Sequence, residues 1–232
     1  MITKIEAKDR YRAEHGWLSS HHLFSFAEYH DPRNMNFGVL RVFNDDRIDG
    51  ENGFGAHGHQ NMEIVTIVLE GELTHEDTIG NRKCIKAGEV QYMSAGTGVK
   101  HSEMNLAREV VHLYQIWLTP RRNGFTPAYD QKDFSHMEKN ILVPVVSGEK
   151  QEGVIYIESD ATIYKATLEK GKEIVYEVGV GRGVFIYVTR GILEINGTTF
   201  NSGDQARIEG EESLTIVAKE ETECVMVDVE ER

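Results

Sequence analysis

Four residues capable of metal chemistry fall into two close pairs along this 232-residue chain. His57 and His59 lie in the glycine-punctuated run GFGAHGHQNME (residues 53–63), and His101 and Glu103 lie in KHSEMN (residues 100–105). Each pair is separated by two positions, so both of its side chains leave the same face if the segment is a strand. Two such pairs on facing strands would bring three imidazoles and a carboxylate to one point. Neutral imidazole and carboxylate suit a borderline divalent ion such as Fe, Mn, Ni, Cu or Zn, and the lack of thiolate argues against a structural zinc knuckle. The spacing by itself also fits a flexible loop with incidental histidines, because H-x-H is common.

Strands must do the positioning. Phe37–Phe43 reads as a strand, Asn44–Asp46 as a turn, and the glycines at 50, 53, 55 and 58 as a bending approach to the histidines. EIVTIVL (63–69) is a β-branched strand ending at Glu70-Gly71, with Glu72–Glu76 as its hairpin partner. Val90–Met93 and HLYQIWL (112–118) complete the first set, and Thr126 to Asn140 reads as a crossing segment or linker. Short strands with turns every eight to twelve residues and almost no helical periodicity predict an all-β sandwich or barrel. From Ile141 a second β run begins, with strands from Val154–Ile157 to Cys224–Val229 and an Asn196-Gly197 hairpin turn.

The two runs resemble each other. IVTIVLEGEL (64–73) parallels VFIYVTRGIL (184–193), and KAGEVQYM (86–93) parallels NSGDQARI (201–208), which reads as two copies of one β unit. All ten histidines lie at or before His136, so the second copy cannot rebuild a three-histidine site and reads as support for the first.

Composition narrows the function. A chain of this length accommodates one large β domain or two of about 100 residues. The net charge of −13 repels phosphate backbones and anionic lipid, which argues against direct nucleic-acid or membrane binding. Cys84 and Cys224 stand alone, as reduced thiols do; with no apolar leader-like segment at the N-terminus and no run of 18 apolar residues, a cytoplasmic protein is expected. His15, His21, His22 and His30 read as surface or packed histidines, His75 as part of a solvated hairpin, and His112 as packed. Gln115 shares a face with Leu113 and Trp117 and could orient a ligand if that face lines a cavity.

HGHQNMEIVTIVLEG resembles the first cupin motif and SAGTGVKHSEMN the second, with Gly98, His101 and Asn105 in G-x-x-H-x-x-x-N spacing. The longer strings HGWLSSHHLFSFAEYHDP, QYMSAGTGVKHSEMN and HLYQIWLTPRRNGFTP are similar to the pirin family of bicupins, especially the bacterial pirin-like proteins with quercetinase activity. The resemblance implies two tandem cupin (jelly-roll) domains with few short helices: residues 1–135 binding a metal, and 136–232 degenerate, without ligands. It implies His57, His59, His101 and Glu103 as ligands of one divalent transition-metal ion, iron(II) first, with Mn, Ni, Cu, Zn or Co as alternatives. Glu63 holds the fourth-ligand position of the general cupin pattern, but in pirin-like proteins the H-S-E glutamate takes that role, which favours Glu103. Gly58 departs from the family, where proline commonly separates the two histidines, and should leave that segment less rigid.

What the resemblance implies chemically is a quercetin 2,3-dioxygenase. A flavonol and dioxygen would meet at the open positions of the ion, Glu103 would act as base on the 3-hydroxyl, and the heterocycle would open with loss of carbon monoxide. The alternative is a non-catalytic metal- or redox-sensing protein acting through protein partners. Nothing in the strands suggests a large apolar face left over, so a monomer is expected.

Overall fold

The apolar runs emerge as strands in the computed structural model, which describes residues 1–231. Among the described residues twenty-two strands form four sheets, and the only helix is one 3₁₀ turn, Ala7–Asp9. The architecture is thus the expected all-β pair of cupin sandwiches. The first seven-stranded sheet contains, in spatial order, Ala128–Asp133, Glu89–Ser94, Glu63–Glu70, Val111–Leu118, Leu40–Ile48, Leu18–His22 and Tyr11–Glu14. It packs on a four-stranded sheet of Asn52–His59, Val99–Asn105, Glu72–Asp77 and Arg82–Lys86, with Leu18, Ile48, Val68 and Leu113 meeting Leu73 and Ile85. A second seven-stranded and a second four-stranded sheet repeat this arrangement around a core of Val184, Ile186, Met226, Leu193, Phe200 and Ile216. Ile2–Ile5, the first strand of the chain, pairs with Gln205–Ile208 at the edge of this second large sheet.

The two large sheets lie against each other, so their central strands are covered on both faces. Glu63–Glu70 and Val111–Leu118 are accordingly buried almost throughout instead of alternating. Phe43 sits at the centre of the shared core, its ring 5.1 Å from Tyr114, 5.4 Å from Phe185 and 5.2 Å from Tyr187. Burying a side chain of that size stabilises by ~1.5–3 kcal/mol, so separating the halves would expose several such contributions at once. Polar ties rim this core: His112 Nε2 donates to Asp45 Oδ1 at 2.6 Å and the Tyr187 hydroxyl donates to Asp45 Oδ2 at 2.6 Å.

Four local expectations change. Asn44–Asp46 is not a turn but the middle of the Leu40–Ile48 strand, because its side chains point alternately into the first sandwich and toward Tyr187. The glycine-rich approach is itself a strand, Asn52–His59. Glu72–Asp77 is not a hairpin partner of Glu63–Glu70; at Gly71 the chain leaves one sheet for the other, where it pairs with Val99–Asn105 and Arg82–Lys86. Gly71 has φ +74°, and a Cβ there would sit 2.9 Å from the Val110 carbonyl oxygen; its counterpart Gly191 has φ +86° with the Glu221 oxygen 2.4 Å away. Glycine is therefore required at the same corner of both copies. Finally, the expected linker contains the edge strand Ala128–Asp133, paired with Glu89–Ser94.

Candidate metal centre

Antiparallel pairing between Asn52–His59 and Val99–Asn105 sets His101 directly opposite His57 and Val99 opposite His59. His57, His59 and His101 therefore converge because the strands that carry them are neighbours, while Glu103 groups with His101 but not with His57 or His59. A register shift between His101 and Glu103, which faces Phe54, bends the ladder at Gly55-Ala56. The three imidazole rings form a near-equilateral triangle, with centroids 4.4 Å apart for His57 and His101 and 4.9 Å for each of the other two pairs. One ring nitrogen from each lies within 4.8 Å of the others. Glu103 joins His101 in a second, overlapping group that also includes His75.

The hydrogen bonds fix which nitrogens carry protons. His57 Nδ1 lies 2.8 Å from the Gly55 carbonyl oxygen, an acceptor only, so Nδ1 donates and Nε2 keeps its lone pair. His75 Nε2 donates to Asp77 Oδ2 at 2.9 Å, leaving His75 Nδ1 to accept from His101 Nδ1 at 3.5 Å. His101 Nε2 is then a bare lone pair. Both His101 Nε2 and His59 Nε2 are buried with no partner among the described residues. Burial, followed by the neighbouring imidazoles, pushes His101 down to about 3 and His59 down to about 4, so both rings are neutral at physiological pH. Unpartnered nitrogen lone pairs beside a carboxylate are the donor set of a borderline divalent transition-metal ion, and the residues present fit one.

Glu103 is buried and oriented from the large sheet. Trp117 Nε1 donates to Gln115 Oε1 at 3.2 Å, which turns the amide so that Gln115 Nε2 donates to Glu103 Oε2 at 2.7 Å. Glu103 Oε1 has only a long contact, 3.4 Å, from the Thr66 hydroxyl. Gln115 thus faces the cavity and steers an acidic side chain. Glu63 points the other way: it shares its face with Val65 and Ile67, accepts from Tyr92 and Ser94, and also accepts the backbone N–H of Glu158 at 3.1 Å. It belongs to neither group of candidate donors.

His75 is the site residue that sequence reasoning misplaced. It is fully buried, not solvated, because it shares parity with the core residue Leu73 and not with its charged neighbours Glu72 and Glu76. That alternation was the available signal. His22 is likewise buried and, with His15, lines the cavity.

The cavity has a volume of about 430 Å³ and is walled by Trp17, Phe26, Phe54 and Trp117, with His57, His59 and Glu103 at one side. A polar row runs straight across the sheet through the cross-strand neighbours Gln91, Thr66, Gln115, Asn44 and His22, of which Gln115, Asn44 and His22 line the cavity. In the second sandwich the matching row is Ala206, Ile186, Met226 and Tyr164. Apolar side chains there fill the interior that the first sandwich leaves hollow.

Comparison with known proteins agrees with this geometry. Residues 5–118 match the Pirin family, and residues 144–229 match the Quercetinase C-terminal cupin domain. The chain is 42% identical over 230 residues to a quercetin 2,3-dioxygenase of Escherichia coli K12, with 99% of each chain covered. It is also 42% identical over 218 residues to a pirin-like protein of Caulobacter vibrioides, covering 93% of this chain and 94% of that one. The crystal structure of the bacterial pirin YhhW from Escherichia coli in complex with nickel(II) superposes with a TM-score of 0.96 at 41% identity, covering 100% of both chains. With matches over both sandwiches and an imidazole triangle in the first, the chain belongs to the pirin family of bicupins.

Proposed function

We propose that this protein is a metal-dependent dioxygenase of the quercetin 2,3-dioxygenase type, which opens the flavonol heterocycle with dioxygen and releases carbon monoxide. The observation that carries the reading is the imidazole triangle set in the wall of an aromatic-lined cavity large enough for a flavonol. One divalent transition-metal ion, iron(II) foremost, held by His57, His59, His101 and Glu103, would acidify the bound 3-hydroxyl and let substrate and dioxygen meet. The names of the Escherichia coli relative and of the nickel complex support the reaction class and a borderline ion.

The protein's own residues supply positioning and proton transfer. Glu103 Oε2 accepts from Gln115 and keeps a second lone pair for the ion, so Glu103 Oε1, with only its long Thr66 contact, is the oxygen that takes the hydroxyl proton. Trp17, Phe26, Phe54 and Trp117 offer flat apolar walls for the flavonol rings and keep water from the reacting carbons. In this reading residues 1–135 carry the chemistry and 136–232 brace it. The protein works as a cytoplasmic monomer, in keeping with unpaired Cys84 and Cys224.

The test is to load the protein anaerobically with iron(II), manganese(II) or nickel(II), add quercetin, and admit oxygen. Loss of the flavonol absorption band with oxygen uptake is expected. Unchanged absorbance with every metal overturns the reading and leaves the sensing role through protein partners. His101→Ala should lose both metal retention and turnover; normal activity in that variant would place the chemistry elsewhere.

A further inference from the structure

On the Leu18–His22 and Leu40–Ile48 strands, His22 Nδ1 and Asn44 Oδ1 have no hydrogen-bond partner among the described residues, and Ser20 Oγ and Asp46 Oδ1 have none beyond the contact between Ser20 and Asp46. Their residues are all more than nine-tenths buried, and all line the same cavity as His57 and Glu103. Folded proteins leave few such atoms, so their gathering in one place calls for a partner. They form a two-by-two block, because Ser20 pairs across strands with Asp46 and His22 with Asn44. The block is rigid: the His22 ring is held edge-on against Phe26 at 5.1 Å and stacked near Tyr11 at 5.6 Å.

The chemistry of the block limits its occupant. An amide oxygen only accepts, the serine hydroxyl and imidazole can accept as well as donate, and the Asp46 carboxyl accepts when ionised. A ligand must therefore bring at least one donor, for Asn44 Oδ1, and hydroxyl groups, which both donate and accept, suit the other three. Between the block and the imidazole triangle stand Phe26 and Trp117, whose rings meet edge to face at 5.3 Å. The space suits a planar aromatic body with hydroxyl groups at the end remote from His57.

We propose that Ser20, His22, Asn44 and Asp46 form a hydroxyl-recognition subsite that selects polyhydroxylated aromatic substrates over analogues lacking the remote hydroxyls. The proposal rests on the flavonol reading for which end of the substrate faces the imidazoles. A site built to bond a hydroxyl discriminates strongly against its absence, since its own buried acceptors would then be stranded.

Both tryptophans of the chain, Trp17 and Trp117, line the cavity, so quenching of intrinsic fluorescence reports binding directly. Anaerobic titrations would compare quercetin, 3,5,7-trihydroxyflavone and 3-hydroxyflavone, which carries no hydroxyl beyond the reacting one. The wild type should bind quercetin or the trihydroxy compound about tenfold or more tighter than 3-hydroxyflavone. Asn44→Leu should collapse that ratio toward one, and the milder Ser20→Ala should reduce it several-fold. A ratio near one in the wild type, or a ratio unchanged in both variants, overturns the subsite. Oxygen-dependent bleaching is read separately: bleaching without discrimination removes the subsite and keeps the dioxygenase, whereas discrimination without bleaching does the reverse. If no flavonol quenches the fluorescence, the subsite falls.

Discussion

Replacing Gln115 by methionine removes one buried hydrogen bond while nearly conserving volume, and so isolates how Glu103 is steered. Gln115 Nε2 lies 2.7 Å from Glu103 Oε2, and the remaining protein contact of that carboxylate is the 3.4 Å approach of Thr66. A hydrogen bond to a charged acceptor is worth ~1.5–3 kcal/mol, and outer partners of metal-binding groups change affinity by roughly 10–100-fold. Gln115→Met should therefore weaken metal binding by about 10–100-fold. Trp117→Phe acts one step further out, since the indole N–H only sets which way the Gln115 amide faces, and a neutral bond of about 1 kcal/mol predicts a loss near fivefold. Competition against a chromophoric chelator measures both, with thermal melts of the metal-free proteins confirming that the fold survives. Metal affinity within twofold of wild type in both variants would refute the chain from Trp117 through Gln115 to Glu103.

Three further outcomes separate the roles of neighbouring groups. Glu63→Gln should destabilise by about 3 kcal/mol, because three donors, two of them fully buried, lose a charged acceptor, yet leave metal affinity unchanged, since Glu63 faces the second sandwich; metal loss comparable to His101→Ala would make Glu63 a ligand instead. His75→Phe removes the acceptor for His101 Nδ1 and should weaken metal binding about 10–100-fold and alter the visible spectrum of the cobalt(II) form; an unchanged spectrum and affinity would reduce His75 to packing. Acid should destabilise the metal-free protein: His22, His59 and His101 are held down to about 4, 4 and 3 by burial, whereas in the unfolded chain they titrate near 6.5. The unfolded state therefore binds more protons below 6.5, and stability present above that pH is lost as pH falls toward 4. Asp46, raised to about 7 by burial, acts in the opposite sense but is one group against three. Thermal melts from pH 8 to pH 5 should show the decline; a flat profile would mean that the imidazoles are solvated.

Much of this protein was readable from local rules. The β class follows from short β-branched runs and regular turns. The doubled unit follows from the parallel strings, whose corner glycines Gly71 and Gly191 share one left-handed conformation. Even the contrast between a hollow and a filled sandwich is written in the repeat, where Thr66 corresponds to Ile186 and Gln91 to Ala206. The types and spacings of His57, His59, His101 and Glu103 needed no coordinates, because alternation along a strand guarantees a common face.

Alternation does not say what covers that face, and there the tertiary structure decided. Asn44–Asp46 has turn-like composition, but neighbouring strands supply its hydrogen bonds, and it became the middle of a strand. His75 has charged neighbours in sequence, yet its own parity turns it inward against His101. Glu63 and Thr66 are three residues apart and therefore face opposite sides of one sheet, toward the second sandwich and toward Glu103 in the first respectively. The sequence by itself determined which donors exist and which of them travel together; packing of strands distant in the chain determined which donors meet, which are shielded from water, and where space remains for a ligand. The physical reason is range: side-chain alternation is set by each residue's own backbone, whereas burial is set by whichever sheet comes to lie across it.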